Sequence, residues 1–194
     1  MFFKSAEDSK YYSTNNPLTT KMISDKLVVL MEEAISNGYS CVVFLCIGTD
    51  RSTGDSFGPL VGHKIKSIRA KNVHVYGTLN DPVHAKNLDI SVKMVTSTHE
   101  KPFIIAVDAC LGSLDHVGCI GVDKGSIKPG SGVNKNLQSV GDMYITGIVN
   151  IGGFMDFFIL QNTRLSLVMK MADVVSSSIR MAVMRMQSKG KISV

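Results

Sequence analysis

Cys41-Val42-Val43-Phe44-Leu45-Cys46-Ile47 runs directly into Gly48-Thr49-Asp50-Arg51-Ser52-Thr53-Gly54-Asp55-Ser56-Phe57-Gly58-Pro59. An unbroken apolar, β-branched run reads as a strand buried on both faces. The small and polar residues that follow end it abruptly. Pro59 fits a helix only in its first turn, which fixes a helix start near Ser56. That helix is predicted to reach Ala70, with Leu60, Val61, Ile65 and Ile68 as its apolar face. A buried strand, a loop and a helix in immediate succession are the opening unit of a parallel α/β domain.

The unit repeats outward. Before it, Ile23, Leu27, Leu30 and Ala34 recur at helical spacing from Thr19 or Thr20 up to Gly38. After it, the pattern predicts strands at Val73–Tyr76, at Phe103–Val107 ending at Asp108, at Gly118–Val122 and at Met143–Val149. It predicts a helix over His84–Thr96 and one long helix over Phe154–Met186. In that last helix Leu165, Val168, Ala172, Val175, Ile179, Ala182 and Met186 form a core face, with Met169, Met171, Met181 and Met184 filling gaps. Lys124–Gly141 is a long loop of Gly, Ser, Asn and Lys, suited to a lid or substrate strap. Alternating strands and helices imply a three-layer α/β/α sandwich with a mainly parallel sheet. Residues 1–18 read as a polar arm and residues 19–194 as a single domain.

Composition narrows the function classes. The chain has 194 residues, of which 44% are hydrophobic and 19% charged, a globular balance. Its net charge of +5 is mild and does not point to nucleic acid. The excess lies in the last helix, where Arg164, Lys170, Arg180, Arg185, Lys189 and Lys191 face Asp173 alone. The longest apolar run is too short to span a bilayer, and no signal-peptide stretch opens the chain. Cys41, Cys46, Cys110 and Cys119 have no metal spacing and read as buried thiols of a reducing, cytoplasmic compartment.

In an open α/β sheet, ligands sit beyond the carboxyl ends of the strands. Those ends carry Gly48–Asp55, Asp108 and Asn150. If the first and third long strands are neighbours, Asp55 and Asp108 face one cleft. Two carboxylates in a partly dry cleft split their pKa values, so one polarises water while the other holds a proton to donate. That is equipment for general acid/base hydrolysis of an amide, and it could instead hold a divalent cation. Asp55 also suits an N-cap and Asp108 a tie to the Cys110-Leu111-Gly112 turn, and spacing does not choose between these roles. Thr49, Asp50, Arg51, Thr53, His84 and Asn150 are the supporting or substrate-binding candidates. Gly48, Gly54 and Gly58 match neither phosphate-loop pattern, and Asp50 and Asp55 would repel phosphate. There is no G-x-S-x-G elbow and no His pair at ligand spacing, so neither a serine triad nor a metal or other cofactor is expected.

The block Cys46–Gly62 resembles the signature of the YyaC sporulation family of spore-forming Firmicutes. Tyr76–Ala85, Val107–Gly112, Ile145–Asn150, Gly152–Met155 and Leu160–Leu165 agree in the same order. That family is similar in fold to the spore germination protease and to hydrogenase maturation peptidases, which are three-layer α/β proteins. In the germination protease a Thr-Pro-Asp-Ala-Leu-Gly-Pro segment and a later Asp-Ala carry the two proposed catalytic aspartates. Thr53–Pro59 and Asp108-Ala109 match them, with Gly54 standing where that protease has proline. The resemblance implies a peptidase of sporulation or germination, placed in the forespore or spore interior. Asp55 and Asp108 would be its catalytic pair, and small acidic spore proteins a substrate. The nickel-gripping His of the maturation peptidases has no counterpart in Gly141–Gly153, and the germination protease's propeptide has none here. Those departures carry the alternative, a non-catalytic binding or assembly protein, one version of it a homodimer through the last helix.

Overall fold

The apolar runs assemble as strands of one sheet in the computed structural model, which describes residues 11–129 and 138–193. The elements are β1 (Tyr11–Ser13), α1 (Thr19–Ser36), β2 (Cys41–Cys46), α2 (Phe57–Ile65), β3 (Val73–Tyr76), α3 (Leu88–Thr98), β4 (Pro102–Gly112), β5 (Cys119–Lys124), β6 (Met143–Ile151), α4 (Asp156–Gln161) and α5 (Leu165–Ser188). The strand order is β1-β5-β6-β4-β2-β3. β6, β4, β2 and β3 run parallel, while β5 is antiparallel to β6 and β1 to β5. The sheet is therefore mixed, with a parallel centre.

Why β2 reads as an unbroken apolar run is now visible. Val42, Phe44 and Cys46 join the core under α1, α2 and α5, and Cys41, Val43, Leu45 and Ile47 join a second core under α3. Successive strand residues point to opposite faces, so a strand covered on both sides must be apolar at every position. The stripe on α5 is spent inside the domain, with Val168, Ala172, Val175, Ile179, Ala182 and Met186 all buried. Leu165, Met181 and Met184 are exposed, so those two methionines fill no gap. The basic end of α5 also has internal partners: Arg185 pairs with Asp25 at 2.5 Å and Lys189 with Glu32 at 2.6 Å, both on α1. Such half-exposed pairs orient the helices more than they stabilise them.

Several elements differ from the sequence-based expectation. Tyr11–Ser13, inside the expected polar arm, is an edge strand that buries Tyr12. The helix expected over His84–Thr96 starts at Leu88, because Asn87 ties the preceding turn: its Oδ1 accepts from His84 N at 2.7 Å and its Nδ2 donates to Pro82 O at 3.0 Å. The helix expected to reach Ala70 ends at Ile65, where the chain turns back toward β3. The long final helix is broken at Asn162–Arg164. Asn162 Nδ2 donates to Phe158 O at 2.8 Å and Thr163 Oγ1 to Ile159 O at 2.9 Å, so side chains close off the last turn of α4. Of the expected strap, Ile127 and Val140 pair as an isolated bridge, and residues 130–137 lie outside the described residues.

Asp142 pins the entry of the central strand. Its Oδ2 accepts from Ile104 N at 2.8 Å and its Oδ1 from Tyr39 OH at 3.1 Å. Hydrogen bonds to a charged group are the stronger kind. Asp142→Ala is expected to cost about 2 kcal/mol, read as a lowered denaturation midpoint with an unchanged slope. A midpoint equal to wild type would remove this role.

Candidate functional site

Three chain segments meet where β2 ends. Pairing of β2 with β4 stops at Cys46 opposite Val107, so the next residue of β4, Asp108, has no β2 partner beside it. The expectation that β4 would end there was wrong. It continues to Gly112, paired with β6 as Asp108 with Thr146 through Gly112 with Ile151. The register shifts between Cys110 and Leu111, a bulge of the kind that re-aims side chains beside a site. Asp108 thus sits inside a rigid strand at the edge of a cleft.

β2 leads to β3 on one side and the chain returns to β4 on the other, so the gap beyond β2 is the topological switch point. The loop Gly48–Asp55 folds over it. Thr49 N donates to Asp55 O at 3.1 Å, and Asp55 lies in a single 3-10 turn, Gly54–Ser56, that feeds α2. This packing requires glycine. A Cβ on Gly58 would meet Ile47 O at 2.0 Å, and one on Gly48, whose φ is +142°, would meet Asp55 O at 2.0 Å. The α2 backbone therefore lies directly on the tip of β2. A second loop is held alongside by Gly48 N donating to Val83 O at 2.8 Å, and it brings His84 and Lys86 to the rim.

The resulting cleft has a volume of about 750 Å³. Thr49, Arg51, Asp55, His84 and Asp108 line it, and α4 closes its far side with Phe157, Leu160 and Gln161. Asp50, Thr53 and Asn150 do not. Thr53 O instead accepts from Ser56 Oγ at 2.6 Å, and Asn150 Nδ2 donates to Thr163 Oγ1 at 3.2 Å, anchoring the end of α4. Lys86, Asp156 and Phe157 are lining residues that the strand-end rule did not single out.

Burial dominates the electrostatics. Asp108 is 9% exposed, and its pKa is pushed well above the ordinary value, first by desolvation and then by the nearby Asp55 charge; the Ala109 N–H that donates to its Oδ1 at 2.9 Å opposes this. Asp55 is also raised by burial, with the neighbouring Ser52 hydroxyl pulling the other way. Ser52 Oγ and His84 Nδ1 are buried and make no hydrogen bond of normal geometry within the protein. Both belong to cleft residues, and an unpartnered buried polar atom is costly unless a ligand or water completes it. The Cys110 thiol is pushed up to about 11 by burial, so it is protonated at neutral pH and is no nucleophile. Among the described residues, no cleft group of three His, Cys, Asp or Glu has ligand atoms that all lie within 4.8 Å of one another. The cleft as folded thus offers a carboxylate pair and does not fit a preformed three-ligand metal centre.

No helix among the described residues is long and apolar enough to cross a membrane. The fold is similar to that in the crystal structure of a NiFe hydrogenase maturation protease, HycI from Thermococcus kodakarensis KOD1. The TM-score is 0.53 at 18% identity, covering 79% of this chain and 99% of that one. The uncharacterized protein YyaC of Bacillus subtilis (strain 168) is 48% identical over 178 residues, 91% of this chain and 85% of that protein. Residues 15–178 match the family described as "Protein of unknown function (DUF1256)", and the chain belongs to that YyaC-containing family.

Proposed function

We propose that this protein is a peptidase-like hydrolase of sporulation in which Asp55 and Asp108 cleave a peptide bond together. The observation that carries this reading is the cleft at the switch point with two carboxylates of unequal burial, the deeper one raised by its burial and then by the other's charge. Two such groups divide the work. Asp108 keeps its proton and donates it toward the carbonyl oxygen. Asp55, ionised, takes a proton from the attacking water. The water oxygen bonds to the carbonyl carbon, and collapse of the tetrahedral adduct breaks the C–N bond as a proton passes to the amine. Arg51 and Lys86 on the rim suit an acidic chain, and Phe157 and Leu160 give an apolar side chain a place to rest. Small acidic spore proteins, met in the forespore, fit that chemistry. The likeness to a maturation protease supports a fold able to carry it.

The test incubates the purified protein with an extract of small acidic spore proteins and reads peptides by mass spectrometry. Defined cleavages are expected. Their absence under all buffers and with added divalent ions would leave the binding or assembly reading as the better one. The active state needs Asp108 protonated and Asp55 ionised. Activity should therefore fall as pH rises through the upper apparent pKa of the pair and fall again below the lower one. Both limbs should lie above the ordinary carboxylate value of 3.8, since both groups are raised. A profile flat from pH 4 to 9 contradicts shared acid/base work.

A further inference from the structure

A second chemical cluster lies at the opposite end of the sheet. Cys41 opens β2, His74 is the second residue of β3, and His99 follows the last residue of α3. Val43 stands beside His74 in the parallel register, so Cys41, two residues earlier on the same face, is diagonal to it. One ligand atom from each of Cys41, His74 and His99 lies within 4.8 Å of the others. The imidazoles of His74 and His99 stack with centroids 4.0 Å apart. Tyr76 OH is 2.8 Å from His99 Nε2. From Cys41 to Ile47 the strand advances about 20 Å at roughly 3.3 Å per residue, so this cluster is remote from the aspartate cleft.

We propose that Cys41, His74 and His99 form a binding site for a zinc-class divalent cation. A thiolate and two imidazoles are the donor set that zinc favours, and three protein ligands leave a fourth position for water. A hydrogen bond to one nitrogen of a ligating imidazole fixes its tautomer and orientation, which is what Tyr76 supplies to His99. On binding, the Cys41 thiol releases its proton to solvent and the thiolate takes the metal. The ion would tie the start of β2, the edge strand β3 and the end of α3 together.

The experiment uses the full chain, stripped with a chelator and kept reduced with a phosphine. It is titrated with Zn²⁺, measuring bound metal by mass spectrometry, and with Co²⁺, whose spectrum reports ligand type. One Zn²⁺ per chain and a thiolate-to-cobalt charge-transfer band are expected. Affinity should fall at least about 100-fold in Cys41→Ser and in His99→Gln, and the cobalt band should vanish in Cys41→Ser. Asp108→Asn should bind as wild type, which separates this site from the cleft. His99→Gln keeps the test open if Cys41→Ser fails to fold, since circular dichroism reports folding of each. No stoichiometric binding, binding without the thiolate band, or loss confined to Asp108→Asn would each overturn the proposal.

Discussion

Asp108→Asn is expected to abolish peptide cleavage, by about 10²–10⁴-fold, while raising the melting temperature at neutral pH. The amide keeps an oxygen for the Ala109 N–H but cannot donate a carboxyl proton or share one with Asp55. The stability gain follows from the direction of the pKa shift. Burial and the Asp55 charge raise the Asp108 pKa in the folded state. Between the unfolded and folded values, the folded protein binds more protons than the unfolded chain, so stability falls as pH rises through that window. The neutral variant is exempt from that loss. Calorimetry of the two proteins across pH should show the variant gaining on wild type from about pH 4 upward, reaching a lead of roughly 1 kcal/mol, or about 3 °C. A variant that still cleaves, or that is less stable than wild type at neutral pH, removes Asp108 from the role assigned to it. A group that lowers stability where it sits and is needed for activity is the trade-off expected of a working site.

Gly58→Ala should be the most damaging small change near the site. In an exposed helix this substitution would stabilise by up to about 1 kcal/mol. Here the added methyl meets the backbone oxygen of Ile47 at 2.0 Å, and backbone cannot swing aside as a side chain can. α2 must lift from the tip of β2, and the turn that holds Asp55 moves with it. A loss of at least about 3 kcal/mol is expected, at the top of the range for overpacking, together with loss of cleavage. Urea denaturation and the digestion assay measure the two effects. Wild-type stability in this variant would show that α2 does not rest on β2 as described.

These two residues also mark what was legible in the chain. The apolar run Cys41–Ile47 could be read as a buried strand because burial on both faces leaves no polar position. Pro59 located the start of α2 to within a couple of residues because its ring is tolerated only there. The α5 stripe could be read as a core face because its spacing is that of one side of a helix. Asp55 and Asp108 were legible as a pair, since in a parallel sheet the loops after strands are where side chains of different elements converge. Other features had no local signal. Tyr11–Ser13 is too short and polar to read as a strand, and only the free edge of β5 makes it one. Cys110-Leu111-Gly112 reads as a turn, and only pairing with β6 extends β4 through it. His84 reaches the cleft because Asn87 ties the turn before α3, an Asx interaction that sequence spacing places equally well inside the helix.

The sequence by itself determined the α/β class and most element centres, because those follow from periodicity and from rigid local rules on proline, glycine and side-chain direction. Tertiary structure alone decided that β2 and β4 are neighbours and that Asp108 lies deeper than Asp55. It also decided that α4 walls the cleft, and that Cys41, His74 and His99 meet at the far end of the sheet. Strand order and burial depth are set by which long-range packing has the lowest free energy, and no window of neighbouring residues contains that comparison.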